Sequence, residues 1–421
     1  MIAEPLDFLL ALDRAGFLAM FWHALFIEIP RFLLPGVLIA LATLIRPAEA
    51  TASPAAVQGV TVLLPGHNEA DRLEVAVRSM RLQSRPPDQI IVVDDGSSDG
   101  MGALARRLKK EGLIDLALST RLRAGKSAAA NLGLRYATGE VVVIADVDTT
   151  YDDDAFARLL EPFGDPRCGA VAGNLGVRNW DASMMTRWQT VQYLESISLG
   201  RRVTDMLGVL YIVSGAFGAF RRAALTRVGG WDVGPGEDAD ITVKVRQAGW
   251  RVRFAPEAWA LTDVPESLPA LVRQRLRWNR SLVRIRLRKF GRLLNPARES
   301  FTLRNALGVI DVLFFQLVLA VSFTVYLIWL FLTYGSFGWA IVGAVTIFYM
   351  AMGLVSYIAA CAVSGEYGRL RLWPEAICYG LFNSYFLRFV RLYAAVDELI
   401  FRTSYRDDYV PPKVRETTEV F

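Results

Sequence analysis

The chain has 421 residues, of which 53% are hydrophobic and 21% charged, with 47 Lys and Arg against 42 Asp and Glu. An apolar share above the 45–50% usual for soluble domains points to membrane segments, while the charge excludes a chain embedded throughout. Cys168, Cys361 and Cys378 form no CxxC pair and His23 and His67 are the only histidines, so a disulfide framework and a Cys zinc site are excluded and a His-ligated metal is disfavoured. Any site must rest on carboxylates, Arg, Lys and backbone.

Residues 17–45 are mostly apolar, interrupted by Glu28, Pro30 and Arg31. The clean stretch Phe32–Ile45 is short of the ~20 residues a crossing needs, but extended back to Phe17 it is long enough, with a break expected near Pro30. It lacks the basic start and cleavage site of a removable signal peptide. Residues 1–12 read as a short interfacial helix, and residues 46–58 as a linker. The pattern then turns to soluble α/β. Short β-branched runs at 60–65, 89–93 and 141–145 alternate with helical stretches at 69–83, 101–111 and 126–137, which predicts a parallel sheet with crossover helices. Ligands of such sheets lie beyond the carboxyl ends of the strands.

Residues 271–294 read as a basic amphipathic helix lying on a membrane surface. Nucleic-acid binding is the weaker reading, because apolar spans at 307–333 and 339–363 follow directly. Their outer flanks are basic, which places those flanks and the soluble part in the cytoplasm. Residues 374–396 are apolar but contain Arg388 and Arg391, and the sequence leaves open whether they cross, re-enter or line a polar cavity. The domains expected are therefore a membrane segment (1–50), a cytoplasmic catalytic domain (51–268), an interface helix (269–300), a transmembrane region (301–396) and a polar tail (397–421).

The chemistry-bearing residues cluster at the strand ends. Asp94 and Asp95 close the second run, where a carboxylate can accept hydrogen bonds from a nucleoside, although Asp-Gly-Ser is also ordinary turn chemistry. Lys126 precedes a helix, and a helix N-terminus with a nearby Lys is an anion site. Asp146 and Asp148 follow the third run directly. Oxygen-only ligands of this kind suit Mg2+ or Mn2+ shared with substrate phosphates. Gly234-Pro235-Gly236 leads into Glu237 and Asp238, either of which can serve as a general base if it faces the substrate. Gln274, Arg277 and Trp278 stand at i, i+3 and i+4 on one helix face, with Arg suited to a diphosphate and Trp to a sugar ring.

The order Asp95, Asp146-x-Asp148, Glu237-Asp238 and Gln274-x-x-Arg277-Trp278 resembles that of the processive family 2 glycosyltransferases, the group of cellulose, chitin, hyaluronan and poly-N-acetylglucosamine synthases. The similarity runs from about residue 60 to 290. Within the group, AVAGNLGVRN, IVSGAFGAFRRAAL and VRQRLRW most resemble poly-β-1,6-N-acetylglucosamine synthases. The resemblance implies a Rossmann-like GT-A domain in the cytoplasm, with amphipathic interface helices and flanking transmembrane helices in the inner membrane.

The resemblance also implies roles. Asp94, Asp95 and Asp146 would bind the nucleotide of a UDP-sugar, and Asp148, with Asp146, a Mg2+ or Mn2+ ion. Lys126 would face the donor. Asp238, beside Glu237, would be the catalytic base. Gln274, Arg277 and Trp278 would hold the diphosphate and the acceptor, a growing polysaccharide. Ser214, Gly215 and Phe220 fall in the acceptor-side segment. Two departures stand out: Gly236 replaces a Thr common in relatives, and His67 stands where an aromatic or small residue is commoner. The lipid bilayer is an expected partner and nucleic acid is not; a homo-oligomer or an export partner is left open. The competing readings are single transfer to a lipid acceptor and an inactive membrane scaffold.

Overall fold

The computed structural model describes residues 7, 10–45, 57–297, 302–406 and 411–417. Most of the expected interfacial helix at 1–12 and of the linker at 46–58 lies outside these.

At the centre is an eight-stranded sheet in the order β3-β2-β1-β4-β7-β6-β8-β5. The strands are β1 (Val60–Gly66), β2 (Gln89–Asp94), β3 (Leu116–Ser119), β4 (Val141–Ala145), β5 (Thr150–Tyr151), β6 (Cys168–Val177), β7 (Phe217–Arg221) and β8 (Arg251–Thr262). β3, β2, β1 and β4 are parallel, whereas β7 runs antiparallel to both β4 and β6. The sheet is therefore mixed, not wholly parallel as the alternation suggested. The parallel half behaves as β-branched runs covered on both faces should. Val62, Ile90, Val92 and Val143 pack on one side against Leu73, Val77 and Phe156. Leu63, Ile91, Val93 and Val142 pack on the other against Ala129, Ala130 and Ile241. Alternation along each strand thus feeds two cores. Helices Ala70–Arg81, Met101–Lys110 and Lys126–Leu134 fill the connections, each close to its expected span.

Helical turns run without a break through residues 14–45. Pro30 does not interrupt them. It lies within the wider turns of Ala24–Leu33, which accommodate its missing N–H. Among the described residues, two helical stretches are long and apolar enough to cross a bilayer, Arg14–Thr43 and Leu319–Ser364. The second contains a short turn at Gly335–Phe337. Met20, Phe323, Tyr326, Leu330, Ile341 and Val345 form one apolar cluster that joins both stretches.

The sheet domain meets these helices through two others. Helical residues 184–206 were not anticipated. Trp188 packs at a tilt on Phe382, ring centroids 4.7 Å apart, Arg187 pairs with Glu375 at 3.3 Å, and Leu199 lies against Gly36. The second is helix Leu268–Val283, continued in wider turns by Arg284–Lys289. Part of the basic face expected to lie on a membrane surface is engaged within the protein. Arg284 and Arg286 are each 2% exposed and donate to the carbonyls of Pro235 and Tyr211. Arg288 pairs with Glu398 at 3.2 Å and Lys289 with Asp240 at 2.7 Å. The sequence pattern showed the charges but not the carbonyls and acids that meet them.

Candidate active site

The turns after β1 and β2 are tied to each other. Asn68, in the left-handed region at φ 58°, accepts from the Ser98 amide at 2.8 Å, and Ser97 Oγ accepts from the Asn68 amide at 2.9 Å. His67 lies 2.9 Å from the Asp95 carbonyl through Nδ1. The Asp94 carboxylate is turned into this structure: it accepts from the Ser97 amide at 3.0 Å and lies against Gly102, where an added Cβ would come within 2.3 Å of it. Asp95 is directed to the next loop, accepting from the amides of Ala124 and Gly125 at 2.8 and 2.6 Å. Both oxygens of Asp95 therefore shape the loop that presents Lys126.

Lys126 crosses the gap between the strand ends. Its ammonium pairs with Asp146, just beyond β4, and donates to the Gly215 carbonyl at 3.2 Å. Asp148 lies one alternation further, accepting from Thr149 Oγ1 at 3.1 Å. Arg178 fixes its backbone by donating to the Asp148 carbonyl at 2.7 Å. Burial, and then the Asp146 charge, push the Asp148 carboxyl above its ordinary value. Glu69 faces the same acids: burial, then Asp146 and Asp148, push it up to about 7. Among the described residues no three His, Cys, Asp or Glu side chains form a ready ligand set. An oxygen-ligated cation would complete its shell from substrate and water, as Mg2+ commonly does.

Across Lys126 stand the acids that open helix Glu237–Gln247. Lys126, Gly215, Glu237 and Asp238 line one water-sized cavity of about 10 Å3, and Glu237 also lines a larger one of about 280 Å3 beside Asp240 and Lys289. Both carboxyls are raised, Glu237 by burial and then by its neighbour Asp238, and Asp238 by burial against the opposing pull of the Ala239 amide, Lys126 and Arg201. Such a perturbed pair in a cleft is the electrostatic pattern of acid–base sites. Gly236 precedes them at φ +85°, where an added Cβ would meet that of Ser281 at 3.1 Å. In this backbone conformation a Thr would be strained and crowded by helix Leu268–Val283.

That helix carries Gln274, Arg277 and Trp278. Gln274 Oε1 is buried with no hydrogen-bond partner among the described residues, and Arg277 is half-buried. Trp278 is 38% exposed, with the Arg275 guanidinium 4.4 Å above its ring. Of the residues singled out from sequence, Lys126, Asp146, Glu237 and Asp238 come together directly, with Asp148 adjoining. Asp94 and Asp95 support the loops around them. Gly215 adjoins Lys126 and leaves it room: an added Cβ would stand 2.7 Å from the ammonium; Ser214 precedes Gly215 and accepts from the Ala216 amide. Phe220 is buried in the core below.

Sequence reading passed over Glu69, Arg178 and Arg201. Arg201 donates to the Gly173 carbonyl at 2.9 Å, and burial pulls it down to about 10 despite the opposing charge of Asp238. Glu69 alone had a signal, in the turn directly after β1.

The geometry has counterparts. Residues 61–229 match Glycosyl transferase family 2, so this part of the chain is a family 2 glycosyltransferase domain. It is 31% identical over 267 residues to a poly-beta-1,6-N-acetyl-D-glucosamine synthase of Staphylococcus aureus, covering 62% of this chain and 64% of that protein. The synthase of Staphylococcus epidermidis is 31% identical over 58% of this chain and 59% of its own. The chain thus spans under two thirds of the length of these relatives. Among solved structures, the mannosyltransferase PcManGT from Pyrobaculum calidifontis, in complex with GDP-Man and Mn2+, superposes with TM-score 0.59 at 23% identity, covering 91% of this chain and 99% of that one. That likeness establishes the GT-A, Rossmann-like fold.

Proposed function

We propose that the protein is an inverting glycosyltransferase that extends a β-linked polysaccharide from a UDP-sugar, with UDP-N-acetylglucosamine the donor, at the cytoplasmic face of the membrane. One arrangement supports this above all: Lys126, paired with Asp146 just beyond β4, lines one cavity together with Glu237 and Asp238. The choice of donor and polymer draws on the likeness to the staphylococcal synthases.

In this reading the UDP moiety lies along the ends of β1, β2 and β4, in loops that Asp94 and Asp95 hold. Lys126 exchanges Asp146 for the diphosphate and neutralises charge that grows as UDP leaves. Asp146 and Asp148 would hold Mg2+ or Mn2+, a fit to their hard oxygens; the ion would supply Lewis-acid stabilisation of the leaving diphosphate. Asp238 accepts the proton of the acceptor hydroxyl as that oxygen attacks the anomeric carbon. Its raised affinity for a proton suits a base working near neutral pH. One displacement inverts the centre, so an α-linked donor gives a β-linked product. Trp278 offers its exposed face to the acceptor sugar, and Arg277 and Gln274 bind the diphosphate. Arg14–Thr43 and Leu319–Ser364 anchor the enzyme as membrane spans, with export of the chain between them.

The test is the size of the labelled product made by purified protein in lipid from UDP-N-acetylglucosamine with Mg2+ or Mn2+. A high-molecular-weight product is expected. A single-sugar lipid product would overturn polymerisation in favour of lipid glycosylation. Absence of UDP release with every nucleotide sugar would overturn the transferase reading itself.

A further inference from the structure

Helix Arg388–Phe401 is fastened at both ends. Near its start Arg388, 3% exposed, pairs with Glu28, 2% exposed, at 3.0 Å. Tyr349 donates to the same carboxylate at 2.7 Å and His23 Nδ1 lies 3.1 Å from it. About 14 Å further along the helix axis, Asp397 and Glu398 reach the element that carries Gln274, Arg277 and Trp278. Asp397 Oδ2 lies 2.6 Å from Arg280 Nε, and Glu398 Oε1 3.2 Å from Arg288 Nη1. Arg288 also donates to the carbonyls of Glu398 and Leu399 in the last turn of the helix.

The chain then folds back over this joint. Arg402 takes the left-handed region at φ 54°, and Ser404 donates to Glu398 from its amide and hydroxyl at 2.8 and 2.9 Å. Thr403 donates to Asp397. Tyr405 places its ring 4.7 Å from the Arg284 guanidinium, which donates to the Pro235 carbonyl in the loop before Glu237. The same segment therefore meets the continuation of the helix of Trp278 at Arg284 and reaches the loop of Asp238 through that side chain.

Buried ion pairs add little net stability compared with apolar packing of the same volume, but they can fix one register. We propose that Asp397 and Glu398 are positioning residues for sugar transfer: through Arg280 and Arg288 they hold the helix of Arg277 and Trp278 in register with the Glu237–Asp238 loop. This rests on the glycosyl-transfer reading above. Neither residue touches reacting atoms. Their loss leaves donor cleavage by water possible while the acceptor is misplaced, so the two outputs of the reaction separate.

The experiment uses the full chain in lipid nanodiscs, with Asp397→Asn, Glu398→Gln and the milder Arg280→Lys. UDP release and sugar incorporation are measured separately, and amide hydrogen exchange is followed over residues 268–289. Incorporation should fall on the order of 10²-fold, UDP release far less, and exchange should rise over 268–289 but not in β1 or β4. Arg280→Lys, which keeps the charge, should shift the same ratio in the same direction by less. A proportional loss of both outputs with exchange raised throughout would reduce the joint to general stability and overturn the proposal. So would an unchanged ratio with unchanged exchange. A wild type that releases no UDP defeats the transferase reading instead, and the exchange data still decide whether the two carboxylates hold the helix.

Discussion

The two halves of the site are built by different means. Asp146 and Asp148 follow the end of β4 and Lys126 opens a helix packed on the sheet, so the backbone ladder and two apolar cores set their place. Each buried Val, Leu or Ile of those strands contributes about 1.5–3 kcal/mol. Gln274, Arg277 and Trp278 stand on an element that packs through Ile285 and Phe290 on Ala239 and Val243 and is tied by paired charges, Arg280 with Asp397, Arg288 with Glu398 and Lys289 with Asp240. The first half is rigid by packing. The second is joined by directional contacts to helix Arg388–Phe401, which Arg388 in turn fastens to Glu28 in the first apolar stretch. That division suits an enzyme whose donor pocket stays constant while its product moves.

The largest effect should come from the point where the halves meet. Asp238→Asn removes the proposed base and leaves the volume. Transfer should fall by about 10²–10⁴-fold, while titration calorimetry still detects UDP binding. Sugar incorporation near the wild-type rate would remove Asp238 from the base role and break the assignment of roles across the cleft. The next effect belongs to the helical half. Arg388→Met leaves Glu28 buried without its cation, a loss of about 3–5 kcal/mol. Thermal unfolding in nanodiscs should show the helical part melting earlier, and Glu28→Gln added to Arg388→Met should recover most of the loss. No recovery in the double variant would mean that Arg388 acts by packing on the ring of Phe323, 4.2 Å away, and not by charge.

The same division governs what the sequence makes legible. β1, β2 and β4 announce themselves by β-branched runs that end in turn residues, and Asp95, Asp146 and Asp148 come with them. β6, β7 and β8 do not: AVAGNLGV and FGAFR are rich in Gly and Ala, weak strand formers whose pairing is decided by neighbouring strands. The antiparallel β7 was missed for that reason, and the mixed sheet with it. Gln274, Arg277 and Trp278 were legible by helical spacing, but the arginines beyond them misled. Arg284 and Arg286 look like a solvated face in one dimension and become buried donors when carbonyls more than forty residues away arrive. Asp397 and Glu398 had no local signal, since their partners lie over a hundred residues upstream.

Glu69 gives the smallest effect and the finest test of the strand-end half. Its carboxyl is pushed from 4.5 up to about 7, by burial and then by the negative charges of Asp146 and Asp148. Between those values the folded protein holds a proton that the unfolded chain has lost. The stability from this group is therefore full below about pH 4.5 and lost as pH rises through about 7. Glu69→Gln removes the dependence. In metal-free protein, denaturant unfolding should show the wild type losing on the order of 1–3 kcal/mol more than the variant over that range, toward the low end because the site is partly open to water. Equal pH slopes would mean that the three acids do not share one field. Steeper loss in the wild type, reversed when Mn2+ is added, would show the cluster to be an electrostatic unit that becomes favourable only with a cation among its carboxylates, as expected if Asp146 and Asp148 bind metal in that half of the site.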